Sequence, residues 1–236
     1  MTSLRRELDA APPSRVPPLP RVNLYGVVHR GLRLAHARLL TRLGATSYAD
    51  RASVELTLDE LEAMLDLSAF HLEAEERHLH PALEARRANS SNRITTEHAA
   101  HERTFAELRT LAAKLSAARA DAAPAVGRAL YLRYASFVSD DLAHMAEEEL
   151  VIEPLFHALY TDAELLELRN ALVNAIPQRE KLEFLRLMVP ASNHEDRVAL
   201  ISDLKRQLPE PAFQGITAAL RGPLSDADHA RLMAAL

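Results

Sequence analysis

The chain has 236 residues and a formal net charge of −5, with 28 lysines and arginines against 33 aspartates and glutamates. It contains no cysteine, which excludes disulfides, thiolate zinc sites and iron–sulfur clusters, so any metal must be bound through nitrogen and oxygen atoms. The negative charge, without a dense basic stripe, argues against a nucleic-acid-binding surface.

The composition also predicts the fold class. Glycine is scarce, with six residues, tryptophan is absent, and alanine, leucine, arginine and glutamate are abundant, which favours an all-α protein. No segment approaches the roughly 18 apolar residues of a membrane span. Because no secretory signal pattern is visible either, we expect a cytoplasmic protein without a membrane partner.

The sequence of residues 1–87 predicts a tail followed by two helices. Residues 1–20 are rich in proline and predict an irregular tail. An apolar stripe at helical spacing predicts a first helix over residues 22–43. The sequence Thr57-Leu58-Asp59-Glu60 has the pattern of a capping box and predicts the start of a second helix that runs to about residue 87. Pro81 is expected to kink or interrupt this helix.

Two more long helices complete a predicted bundle. They are expected over residues 93–119 and 125–160, and Pro154 predicts an irregularity in the second of them. Four long helices with mostly short connections predict an up-down-up-down four-helix bundle over residues 21–161. Residues 162–236 contain several prolines and predict a helical extension of four or five shorter helices.

Histidine and glutamate recur four residues apart on the predicted helices. This spacing places two side chains on one helix face, about one turn apart. A single pair of this kind is most simply an exposed polar pair, but repetition on several helices gives the nitrogen and oxygen donors that an iron-type site in a bundle requires. The pairs are His71 and Glu75, His98 and Glu102, and His144 and Glu148.

The positions of these residues along their helices provide a second test. With about 1.5 Å of rise per residue, His29 and His98 lie about 10 Å from the same end of the bundle. Glu75 and Glu148 lie about 18 Å from that end, which agrees within the uncertainty of the helix ends. The four helices are therefore expected to bring their polar residues into one layer.

Several short motifs carry a family resemblance. They are Val28-His29-Arg30-Gly31-Leu32-Arg33, His71 to Glu75-Glu76 to His80-Pro81, Glu97-His98, and His144-Met145-Ala146-Glu147-Glu148-Glu149 followed by Pro154. Over residues 22–162 the sequence resembles the hemerythrin-like (HHE, cation-binding) family. The remainder resembles the helical extension of long bacterial members.

This resemblance implies a non-haem di-iron centre inside a four-helix bundle. The two glutamates would bridge the irons together with a solvent oxygen, and one coordination position would remain open for O₂, NO, peroxide or azide. Ligation by many imidazoles and few carboxylates implies a site suited to reversible binding or redox sensing. By position, the implied ligands are His29, His71, Glu75, His98, His144 and Glu148.

The third helix departs from the pattern of oxygen-carrying hemerythrins, which have two histidines four residues apart there. In this sequence His98 is followed by His101 and Glu102, and either residue is an alternative additional ligand. Glu76 and Glu147 are candidates for orienting an imidazole, and Arg33 is a candidate for balancing a carboxylate.

The functional expectation is a di-iron protein that binds O₂ or a related small oxidant (NO or peroxide) for sensing, storage or redox protection. The alternative is a di-iron enzyme, either a peroxide scavenger or an oxygenase or oxidase. A metal-free helical interaction module is a third interpretation. The sequence identifies neither an organic substrate nor the redox partner.

Overall fold

The computed structural model describes residues 21–236, so the predicted tail over residues 1–20 lies outside the described residues. Four long α-helices come first, and the fourth continues through a π-helical turn, Glu148–Ile152, into a short helix, α5, Glu153–Leu159. The all-α prediction is confirmed, since residues 21–236 contain helices and no strand. The long helices are α1 (Gly26–Ala45), α2 (Arg51–Arg86), α3 (Asn92–Ala117) and α4 (Ala123–Glu147).

Ion pairs between the long helices show how they are arranged. Each helix packs against the next one, and α4 packs against α1, so the four form a ring. In each neighbouring pair, a residue in the first half of one helix contacts a residue in or just beyond the second half of the other, which makes neighbours antiparallel. Representative pairs are Arg42 with Glu60, Arg109 with Glu62 and Asp66, Arg133 with Glu107, and Arg33 with Glu149.

The start of α2 differs from the prediction. The helix begins at Arg51, where the Asp50 carboxylate accepts a hydrogen bond of 3.2 Å from the Ala52 N–H. The Thr57 hydroxyl donates to the Ser53 carbonyl at 2.8 Å, as expected for a residue inside a helix. The predicted capping box is therefore wrong, because Asp50 already supplies the helix cap two turns earlier. The α2 helix also continues without interruption through Pro81.

The irregularity predicted near Pro154 is present one turn earlier. The Glu153 N–H donates to the Glu148 carbonyl, which is the spacing of a π-helix. Proline has no N–H, so the regular α-helical hydrogen bond from position 154 to the Leu150 carbonyl cannot form. The helix therefore widens at Glu148, one of the predicted ligands.

Two apolar clusters enclose a polar layer in the bundle. Leu32, Leu65 and Phe105 belong to a large cluster, and Leu79 and Ile94 belong to a smaller one nearer one end of the bundle. On each of the four helices the predicted ligands lie between residues of these two clusters. The polar side chains are thus surrounded by apolar packing, which excludes water from them.

The extension consists of five helices, and the prediction of four or five is confirmed in this region. Side chains cap the starts of some of these helices: Thr161 and Glu164 form a capping box, and the Ser225 hydroxyl accepts from the Asp228 N–H. Most of the later helices share a third apolar cluster around Val189 and Ile201. They are α6 (Asp162–Ala175), α7 (Gln178–Ala191), α8 (His194–Gln207), α9 (Glu210–Ala219) and α10 (Asp226–Ala234).

The extension docks on the bundle through α7 and α1. A Cβ atom at Gly31 would lie 3.0 Å from the Met188 nitrogen and 3.1 Å from the Leu187 carbonyl carbon, so glycine permits a close backbone approach. The Arg30 guanidinium contacts the Asp196 carboxylate at 2.7 Å. The division into tail, bundle and extension stays a prediction. Within residues 21–236, no helix combines the length and apolar character that crossing a membrane requires.

Candidate metal centre

The six predicted ligands lie together in the polar layer of the bundle. All are buried, and the most exposed of them, His71, has 8% of its surface accessible. They form two groups of four, in each of which one donor atom per residue lies within 4.8 Å of the others. The first group is His29, His71, Glu75 and Glu148, and the second is Glu75, His98, His144 and Glu148.

Glu75 and Glu148 belong to both groups, and each offers one oxygen to each group. Glu75 Oε1 lies 3.3 Å from His71 Nε2, and Glu75 Oε2 lies 3.6 Å from His98 Nε2. Glu148 Oε2 lies 3.3 Å from His29 Nε2, and Glu148 Oε1 lies 3.5 Å from His144 Nε2. Each carboxylate therefore faces both groups, and each group contains two imidazoles that would bind a metal ion together with these oxygens.

The buried donor atoms fit a pair of cations. Among the described residues, five of them have no hydrogen-bond partner, although burying an unpaired polar atom costs free energy. Imidazole nitrogens and carboxylate oxygens are the ligands that iron, manganese, cobalt and zinc accept in proteins. The unpaired atoms are His29 Nε2, His71 Nε2, Glu75 Oε2, and Glu148 Oε1 and Oε2.

Comparison with known families agrees with this geometry. Residues 27–156 match the family described as "Hemerythrin HHE cation binding domain", and this match covers more than half of the chain. The chain belongs to the hemerythrin HHE cation-binding family. A search of curated proteins finds no match. The HHE family binds metal cations, so the two groups of ligand-type residues lie in a metal-binding domain.

The surroundings of Glu148 and His71 hold these side chains in the protonation states that bind a cation. Burial alone would raise the pKa of Glu148, but the positive charge of His144 and the close approach of the His29 and His98 imidazoles hold that pKa well below its usual value. Burial lowers the pKa of His71, which keeps this imidazole neutral. A carboxylate that stays ionised and an imidazole that stays neutral are the forms that bind metal.

His144 and His29 behave differently from His71 in the metal-free chain. Burial lowers the pKa of His29, but the Glu148, Glu149 and Glu75 carboxylates outweigh burial and raise that pKa well above its usual value. The same holds for His144. Burial lowers its pKa, but the Glu148 and Glu97 carboxylates outweigh burial and raise the pKa to about 9. His144 Nε2 lies 3.1 Å from His98 Nε2, which is a hydrogen-bond distance when one of these nitrogens carries a proton. A proton therefore lies between two imidazoles that the second metal position requires to be neutral.

Metal binding is expected to depend on pH for this reason. Because cations must displace the protons of His144 and His29, affinity should rise with pH at least until the His144 pKa of about 9 is passed. For one displaced proton the change is about tenfold per pH unit. Chelator competition with Co²⁺ from mildly acidic to neutral pH measures this, and an affinity that does not change with pH would contradict the prediction.

Three further glutamates contact the Nδ1 atoms of the proposed imidazole ligands. His29 Nδ1 lies 3.0 Å from Glu149, His98 Nδ1 lies 3.1 Å from Glu76, and His144 Nδ1 lies 2.9 Å from Glu97. When a metal ion is bound, Nδ1–H would donate to the carboxylate in each pair, and the Nε2 lone pair would be free to bind the ion.

The sequence predicted some of the residues that contact the proposed ligands. Glu76 contacts an imidazole and Arg33 contacts the Glu149 carboxylate at 2.6 Å, as expected for these two residues. Glu147 forms an ion pair with Arg93. Glu97 and Glu149 were missed, although each is the direct sequence neighbour of a predicted ligand. That adjacency is the signal that could have identified them.

Glu149 provides a direct test of these contacts. Replacement of Glu149 by glutamine removes the charged acceptor of His29 Nδ1–H and should weaken metal affinity by about 10- to 100-fold. Glu73→Gln is the matched control, because Glu73 is exposed and pairs with Arg77 on the outer surface of α2. Equal metal affinities for the two variants, measured by chelator competition, would show that the Glu149 contact has no role.

The two alternative ligands on α3 are placed differently. His101 is buried, and its ring centroid lies 5.0 Å from that of His144. Its Nδ1 lies 3.6 Å from the Asp141 carboxylate. Glu102 is exposed and belongs to neither group, so the structure does not favour it as a ligand. His101 also belongs to neither group.

The remaining bundle histidines have other partners. His36 Nδ1 lies 2.9 Å from the Tyr134 hydroxyl, and its Nε2 lies 3.0 Å from Asp141. His80 is buried beside His98, with ring centroids 4.9 Å apart, and its Nδ1 contacts the Thr95 hydroxyl at 3.3 Å. Neither His36 nor His80 belongs to the two groups, and their contacts stabilise packing between helices.

Proposed function

We propose that this chain binds two iron ions between Glu75 and Glu148 and uses them to bind O₂ or a related small oxidant. The observation that supports this proposal is the pair of shared carboxylates, each with one oxygen directed at each pair of histidines. Iron is the metal typical of the family. The bound metal would supply the redox chemistry and the coordination position for the oxidant.

The residues around the site have separate roles in this proposal. His29 and His71 would hold one ion, and His98 and His144 would hold the other. The apolar clusters on both sides of the polar layer exclude water, which strengthens electrostatic interactions inside it. The biological role that fits these features is sensing, storage or redox protection.

The contacts of Glu149, Glu76 and Glu97 with the imidazoles favour a second candidate, a peroxide-scavenging activity. A carboxylate hydrogen-bonded to Nδ1–H makes an imidazole a stronger electron donor, and three of the four proposed imidazole ligands have such a contact. The site is thus richer in electrons than its direct ligands alone imply. This environment would stabilise oxidised iron, which suits disproportionation of hydrogen peroxide to water and O₂, a reaction that needs no outside reductant, better than reversible carriage of O₂.

One experiment separates these candidates. The chain is loaded with Fe²⁺ without oxygen, and optical spectra are recorded before and after addition of O₂. A new band that disappears when oxygen is removed supports binding or sensing. Irreversible oxidation together with turnover of hydrogen peroxide supports the enzyme. A chain that retains no iron after desalting would contradict both candidates.

A further inference from the structure

Tyr25 lies directly beside the candidate metal centre. It is the residue before α1, and its ring centroid lies 5.4 Å from that of His29. The side chain is 0% exposed and belongs to the smaller apolar cluster, in which its ring packs 6.5 Å from that of Phe156. Tyr25 therefore forms part of the wall of the polar layer on the His29 side.

The hydroxyl group of Tyr25 has no hydrogen-bond partner within residues 21–236, although it is fully buried. Other tyrosine hydroxyls in the chain are paired: Tyr134 with His36, Tyr48 with the Leu43 carbonyl, and Tyr160 with the Ala82 carbonyl. A buried hydroxyl without a partner costs free energy, so its position requires an explanation. The same condition applies to the unpaired metal-ligand atoms beside it.

The charges near Tyr25 indicate which kind of partner its hydroxyl can take. The carboxylates of Glu148, Glu75 and Glu153 lie near enough to act on its hydroxyl. A phenol keeps its proton at neutral pH, so this hydroxyl is a donor. Glu153 accepts from the Leu24 N–H at 2.7 Å and from the Asn23 side chain at 3.2 Å. These contacts fix the start of α1 and hence the position of the Tyr25 side chain.

We propose that the Tyr25 hydroxyl donates a hydrogen bond to a small anion of the peroxide or azide class that binds at the His29 side of the metal centre. This inference rests on the proposed function, because it requires the metal ions. A hydrogen bond to a charged acceptor in a site without water is strong and directional. Tyr25 thus favours ligands that carry negative charge at a nitrogen or oxygen atom over neutral diatomic molecules.

The test uses the iron-loaded, oxidised full-length chain, with azide as the probe. Tyr25→Phe keeps the ring and its contact with Phe156 but removes the donor. We expect unchanged iron content and an azide dissociation constant that rises about 10- to 100-fold, measured by optical titration. Tyr134→Phe is the matched control, because it removes an equally buried hydroxyl that already has a partner, and its azide affinity should equal that of the unmodified chain.

Different outcomes separate failure of this inference from failure of the proposed function. Full iron content with unchanged azide affinity in Tyr25→Phe would overturn the role of Tyr25 and leave the proposed function intact. Loss of iron in this variant, or a phenolate-to-iron absorption band in the unmodified chain, would also overturn it, because Tyr25 would then be a ligand. An unmodified chain that binds no iron would contradict the proposed function itself.

Discussion

Replacement of Glu148 by glutamine is expected to remove both metal ions from the chain. Glu148 is fully buried, and its two oxygens face His29 on one side and His98 and His144 on the other. A glutamine side chain has similar size but no negative charge, and its amide nitrogen cannot bind a cation. Iron per chain, measured by elemental analysis after anaerobic loading, should fall from two ions to nearly none.

His71→Ala is the control variant for Glu148→Gln. His71 belongs to one group only, so its loss should weaken one metal position and leave the other occupied. Circular dichroism would verify that both variants remain helical. If Glu148→Gln retained as much iron as the unmodified chain, the shared-carboxylate arrangement would be incorrect.

Replacement of Gly31 by leucine is expected to destabilise the chain by about 1–3 kcal/mol, which is the usual cost of overpacking. A Cβ atom at this position would already lie 3.0 Å from the backbone nitrogen of Met188, so α7 has to move away from α1. The thermal unfolding midpoint should fall by about 2–4 °C for each kcal/mol in a chain of this size.

Gly215→Leu is the matched control for this substitution. Gly215 lies inside α9, and a Cβ atom there would have no neighbour within 4 Å. Because leucine favours a helix over glycine by about 0.5–1 kcal/mol, this variant should be as stable as the unmodified chain or slightly more stable. Equal unfolding midpoints for Gly31→Leu and Gly215→Leu would show that α7 does not approach α1 closely enough to exclude a side chain at position 31.

The sequence predicted which polar residues would lie close together. The helical period fixes the relation between His71 and Glu75 and between His144 and Glu148, and the rise per residue sets the levels at which helices meet. These are local properties, so they could be obtained without tertiary information. The structure accordingly brings together all six residues that the motifs indicated.

The choice between His101 and Glu102 shows what the motif alone left open. The buried face of α3 runs through Ile94, His98, His101, Phe105 and Leu108, which places position 101 inside and position 102 outside. The four-residue spacing suggested Glu102, but the apolar residues on either side set the phase of the helix.

Other features depend on contacts that the sequence does not encode locally. The contacts of Glu97 with His144 and of Glu149 with His29 join residues of different helices, so they depend on how those helices are rotated. The capping pattern at Thr57 was a local signal that the structure does not use, because Asp50 caps α2 two turns earlier.

Anomalous diffraction at the iron edge from crystals of the iron-loaded chain tests the central claim most directly. Two iron peaks are expected about 3.5–4 Å apart, the separation of a two-metal site, with one oxygen of Glu75 and one of Glu148 bound to each ion. His29 and His71 should bind one ion, and His98 and His144 should bind the other. A single iron peak, or peaks outside this polar layer, would contradict the account.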